Sequence, residues 1–171
     1  MRRYAGYARN RDGMAFNTKV AERLIELGWQ TQPEVKLTKI LKQSLDRDYG
    51  DVDVLAWSAD LKRILIIECK DLQFRKTYGE IAEQLSDFRG EQVNGKRDLL
   101  RKHLDRVVVL REHAAKVQKY LEMDSESSIE SVVVFSNPVP MQFSNGPIQD
   151  LADLYIFDTL HQLRDASPST K

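Results

Sequence analysis

Apolar positions along the chain fall into helical stripes and short strand-like runs. After Asn17 and Thr18, the residues Val20, Leu24 and Leu27 recur every three to four positions, which predicts a first helix capped at Asn17 or Thr18 and stopped by Gly28. Trp29 to Leu37 reads as a strand, and Lys39 to Tyr49 as a polar, turn-like stretch. Asp51 to Trp57 and Arg63 to Lys70 are β-type segments joined by a turn over Ser58 to Lys62, the spacing of an antiparallel hairpin. Beyond a loop around Gln73 to Tyr78, Ile81, Leu85 and Phe88 form one helical stripe, and a long helix is expected from Asp98 to about Leu121. Ser131 to Phe135 and Leu154 to Phe157 read as buried strands, with Asp158 capping a closing helix to about Arg164. The order is helix, three strands, two helices, strand, strand, helix, so an α/β sandwich around a mixed sheet is expected.

Length and composition narrow the picture. A chain of 171 residues, 42% hydrophobic and 30% charged, suits one compact domain with loosely ordered ends over 1–13 and 166–171. The apolar runs are far shorter than the ~20 residues that span a bilayer, and no signal-like segment follows the N-terminal arginines. Cys69 stands alone and the three histidines are scattered, so neither a disulfide nor a zinc site is expected, and a cytoplasmic protein is inferred. Lys+Arg and Asp+Glu balance at 26 each, so a polyanion must be held by a local patch or a bound cation. Lys36, Lys39, Lys42, Arg47, Arg75 and Lys76 are candidates to flank such a groove. His103 and His113 are expected on the surface of the long helix, and Cys69 in the core.

Chemistry enters where the hydrophobic pattern breaks. Alternation puts Ile64, Ile66, Glu68 and Lys70 on one face of a strand otherwise apolar enough to be central, and puts Asp51 and Asp53 together on its neighbour. A carboxylate left unpaired there costs several kcal/mol. If Asp53, or its competitor Asp51, meets Glu68 across the hairpin, the two carboxylates repel, and Mg²⁺ resolves the conflict by favouring both ionised forms. The Cys69 carbonyl adds a neutral oxygen, and Lys70 stands ready for a phosphate oxygen or an attacking water.

The stretch Tyr49-Gly-Asp-Val-Asp53-Val-Leu and then Ile66-Ile-Glu68-Cys-Lys70, with 14 residues between Asp53 and Glu68, resembles the PD-(D/E)xK or restriction-endonuclease-like nucleases. The likeness covers residues 49–90 and extends to Glu68-Cys-Lys-Asp-Leu72 followed by Gly79-Glu-Ile-Ala-Glu-Gln-Leu85. It implies a three-layer sandwich with a central mixed β-sheet flanked by helices. It also implies Mg²⁺, with Mn²⁺ as substitute, held by Asp53, Glu68 and the Cys69 carbonyl, and Lys70 serving the water. Gln84 is implied near the site, where Gln84 to Phe88 is similar to the family's Gln-x-x-x-Tyr without the hydroxyl. Many relatives carry a metal-binding Glu near the start of the first helix, where this chain has Asn17; Glu22, the other acid there, faces away from the apolar stripe. The implied activity is hydrolysis of phosphodiester bonds in DNA, by a homodimer or within a larger assembly. The alternative is a catalytically inactive nuclease-fold domain that binds nucleic acid or regulates a partner, and a third reading makes Glu68 and Lys70 a purely structural ion pair.

Overall fold

The computed structural model describes residues 2–73, 77–143 and 148–169. Helix α1 (Arg2–Glu26) leads into strand β1 (Gln30–Lys36), a short helix α2 (Leu37–Leu41) and the hairpin β2 (Asp51–Ser58) and β3 (Arg63–Lys70). Helix α3 (Tyr78–Ser86), a small hairpin β4 (Gln92–Val93) and β5 (Lys96–Arg97), and helices α4 (Leu99–Glu112) and α5 (Ala114–Tyr120) follow. The chain closes with β6 (Ser128–Phe135), α6 (Ile148–Leu151), β7 (Asp153–Ile156) and a 3-10 helix over Phe157–Leu163.

Several boundaries differ from expectation for identifiable reasons. The first helix does not start at Asn17 or Thr18; it continues from Arg2, so the segment expected as a loose end is helical. Thr18 turns its hydroxyl onto the Met14 carbonyl, 3.0 Å away, the back-bond of a helix interior rather than a cap. Gly28 does end the chain's helical run, with φ +87°. The turn-like stretch after Leu37 contains α2, which buries Ile40 and Leu41. The long helix splits at His113, whose backbone at φ −115° leaves helical geometry and redirects α5 so that Val117 reaches the core. Asp98 caps α4 by accepting from Arg101 N at 2.7 Å. The β4–β5 hairpin, unforeseen, turns on Asn94 and Gly95, both at positive φ, as a two-residue turn between twisted strands demands. Asp158 is not a cap; the closing helix is 3-10 and begins after Ile156. Of the expected loose tail, residues 170–171 lie outside the described residues, as do Arg75 and Lys76 of the expected basic flank.

The five-stranded sheet runs β1-β2-β3-β6-β7. Its first three strands are antiparallel, while β6 pairs in parallel with β3 and β7 in parallel with β6. The fold is thus a mixed α/β structure with helices flanking a mixed sheet. On one face α1 and the closing 3-10 helix bury Val20, Leu24 and Leu160 against Val54, Leu65, Ile67 and Val134. On the other, α2, α4 and α5 bury Ile40, Leu110 and Val117 against Leu55, Ile64 and Ile66. Central β3 is buried along nearly its whole length, because both its faces are covered.

At its start β3 carries Arg63, only 2% exposed, in a forked pair with the fully buried Glu130: Nε to Oε1 at 2.8 Å and Nη2 to Oε2 at 2.7 Å. Its remaining nitrogen donates to the carbonyls of Leu163 and Ala166 at 2.7 and 2.9 Å, tying the C-terminal segment to the sheet. The other end of β3 carries the candidate chemistry.

Candidate active site

The register Val54↔Ile67 sets Asp53 opposite Glu68 on the β2–β3 hairpin. Asp53 accepts from the Cys69 backbone N–H at 2.8 Å through Oδ2, which fixes its carboxylate against the end of β3. Glu68, 6% exposed, is gripped on both oxygens: Lys70 Nζ lies 2.5 Å from Oε1 and Arg106 Nη2 lies 2.5 Å from Oε2. Arg106 also donates to the Asp51 carbonyl, so α4 is cross-linked to both strands of the hairpin. Thus Asp53, Glu68 and Lys70 lie together at the end of the hairpin, and Arg106 joins them.

Strict alternation does not hold around Asp53. Val52 packs with the α4-side core and Val54 with the α1-side core, so the pleat is interrupted at the residue between them. The cause is the opposing Glu34 on β1, whose φ of +53° interrupts the ladder between the pairs Pro33↔Val54 and Val35↔Val52. Glu34 in turn accepts from the side-chain amide of Asn17. Asn17 is therefore buried and partnered, whereas Glu22 is exposed on α1 beside Lys19, Arg23 and Asp158, away from the hairpin end.

Gln84 is 5% exposed on α3, more buried than its stripe neighbour Ile81, and among the described residues neither its amide nitrogen nor its oxygen has a hydrogen-bond partner. It therefore makes no hydrogen bond to Glu68 or Lys70. His103 corrects another expectation: it is 1% exposed, facing the sheet with Nε2 3.1 Å from Ser131 Oγ and Nδ1 3.9 Å from Glu68 Oε2. His113 meets the Val109 carbonyl at 3.0 Å. The sequence signal for the added groups was present: Leu100, His103, Arg106, Val107 and Leu110 share one helical stripe, and the two polar members interrupt it.

Residues 1–159 match the family model of the Upx-like anti-phage proteins. The chain belongs to the Upx-like anti-phage protein family. Membership places it in phage defence. No curated protein and no solved structure matches it. Among the described residues, no helix of this Upx-like chain is long and apolar enough to cross a membrane.

Electrostatics assign roles within the site. Burial, then repulsion from Glu68, pushes the Asp53 carboxyl up to about 6, against the pull of Lys70, the Cys69 N–H and Arg106. Burial alone would raise Glu68 as well, but Lys70 and Arg106 outweigh it and hold the carboxylate below its ordinary range. Lys70 is desolvated, yet Glu68 and Asp53 more than compensate and keep its ammonium charged above the usual lysine range. Burial holds His103 down to about 3, so it is neutral near pH 7 and its approach to Glu68 is no ion pair. The Cys69 thiol, raised by burial, is a core group and not a ligand at neutral pH.

A divalent ion is tested against this donor set. Among the described residues no group of three or more His, Cys, Asp and Glu side chains is gathered for a metal. Mg²⁺, however, keeps several waters and takes one or two carboxylates plus substrate oxygens. Asp53 and Glu68 are the carboxylates such an ion would draw on here, with both Glu68 oxygens held by Lys70 and Arg106 and the Asp53 carboxyl raised first by burial and then by Glu68.

Proposed function

We propose that this anti-phage protein is a Mg²⁺-dependent nuclease of the restriction-endonuclease-like class, acting on DNA. The observation that carries the reading is Asp53 set opposite Glu68 with the Lys70 ammonium 2.5 Å from Glu68, at the end of a buried hairpin. The mixed sheet with helices on both faces agrees with it. Asp53, Glu68 and the Cys69 carbonyl would hold Mg²⁺ or Mn²⁺. When bound, the ion supplies Lewis-acid polarisation of the phosphate and acidifies a water.

The chain's own residues do the rest. Water attack on phosphorus forms one P–O bond and breaks the P–O bond to the departing sugar oxygen, which gains the water's proton through solvent, and negative charge builds on the phosphoryl oxygens on the way. Lys70, held protonated, stabilises that charge and positions the phosphate; it is too strongly protonated to take the water's proton. Asp53 and the Cys69 N–H keep the two strand ends in register. Gln84 plays no direct part in this scheme.

Cleavage of plasmid and linear DNA in Mg²⁺ tests the reading. Glu68→Gln and Lys70→Ala should each slow cutting by about 10²-fold or more while the fold persists by circular dichroism. Parent-like cutting by both variants refutes it. The second reading, a binding or regulatory module without catalysis, is favoured by the two cations already on Glu68 and by Asn17 where a carboxylate was expected. Calorimetry decides: DNA binding without Mg²⁺ or Mn²⁺ uptake at millimolar concentration supports the module.

A further inference from the structure

Asp105 of α4 is 8% exposed and accepts from three arginines of three different segments. Arg47 Nη2, from the loop before β2, and Arg97 Nη1, from β5, both lie 2.9 Å from Oδ2, and Arg101 Nε lies 2.9 Å from Oδ1. Around Asp105 itself three guanidinium groups meet one carboxylate, while the neighbouring Asp46, Asp48 and Asp98 turn to the Tyr49 hydroxyl and to the backbone N–H groups of Gly50 and Arg101. Asp105 is buried, whereas the side chains of Arg47 and Arg101 are 43% and 46% exposed and that of Arg97 24%. The carboxylate therefore acts as a hub that holds the guanidinium groups at the surface. Each guanidinium has five donors, and the bonds to Asp105 engage one nitrogen apiece. Arg47 is further steadied over the Tyr49 ring, 4.5 Å from its centroid. The next residue of α4, Arg106, reaches Glu68 and the Asp51 carbonyl, so the cluster adjoins the candidate site across residues 50–51.

We propose that Arg47, Arg97 and Arg101, assembled on Asp105, are a phosphate-binding surface that holds a polynucleotide backbone beside the Asp53–Glu68 site. Guanidinium forks match phosphate oxygens in pairs, and a repeating anion can engage several of them at once. The proposal rests on the nuclease reading for its choice of a polynucleotide over an acidic protein.

The test is fluorescence anisotropy with labelled duplex and single-stranded oligonucleotides in chelator, where nothing is cut. Arg101→Gln, which leaves two arginines on Asp105, should weaken binding by about 3- to 10-fold and lower the salt-dependence slope by about one. Arg47→Gln with Arg101→Gln should weaken it by about 10-fold or more, and Lys62→Gln, at the opposite end of β3, should leave it unchanged. Loss of affinity only on the arginine changes, in variants that melt like the parent, supports the surface. Parent affinity and slope in the double variant overturn it, as does equal loss in Lys62→Gln or absence of any binding by the parent. Cleavage assays with Glu68→Gln report separately: a parent that cuts but needs no Arg47 or Arg101 sinks the surface alone, and a parent that binds through them but never cuts sinks the nuclease reading alone.

Discussion

Asp53 makes the site measurable through pH. Its folded pKa of about 6 lies above the ordinary ~3.9, so the folded state holds this proton more tightly and ionising it costs stability. In metal-free buffer this contribution is intact below about pH 4 and is lost as pH climbs through about 6. Asp53→Asn removes the penalty while its amide oxygen can still accept from the Cys69 N–H. The variant should be more stable than the parent by about 1–3 kcal/mol at pH 8 and no more stable at pH 3, by urea melts. His103 works in the opposite sense: the fold refuses its proton down to about 3, so stability falls as pH drops below about 6.5. Arg106 matters through its ion pair with Glu68. Arg106→Met should destabilise by about 3 kcal/mol, because the buried Glu68 keeps Lys70 but loses the guanidinium that α4 places on its other oxygen. The combination with Glu68→Gln should fall short of the sum of the single losses by roughly 1–2 kcal/mol, since both changes break one network.

At the scale of elements, helix α3 offers a cleaner case. Gln84 buries both amide atoms without partners among the described residues, a desolvation those residues leave uncompensated. Gln84→Leu should therefore raise stability by about 1 kcal/mol and leave DNA cutting intact, a result thermal melts and the plasmid assay check together. The hairpin and strand β6 were legible from the sequence because β-branched runs bounded by turns have no other way to bury themselves, whereas β7, expected as buried, is a half-buried edge strand. The Glu34–Asp53 irregularity was not, since nothing in a glutamate betrays a left-handed backbone. Arg106 and His103 were missed for a different reason. A helical stripe was read for its apolar members, although its polar interruptions are where α4 touches β3. Asn94-Gly95, by contrast, is a turn signal carried by the sequence itself.

Across the whole molecule, charge balance conceals local imbalance. Equal totals of acids and bases gave no sign of a basic surface, and the residues first suspected, Lys36, Lys39 and Lys42, are not the ones that converge; only Arg47 is common to both sets. Convergence of a loop, a strand and a helix on Asp105 is a tertiary fact that no local pattern encodes.

The central strand β3 has a buried charge near each end, Arg63 with Glu130 at one and Glu68 with Lys70 and Arg106 at the other. Sliding it by one residue would thrust both into the opposite greasy layer at once, and sliding it by two would uncouple both sets of partners. The strand is therefore bolted like a ruler at two marks. Lengthening the Ser58–Lys62 turn should bulge outward as slack and leave the spacing of the acidic pair untouched.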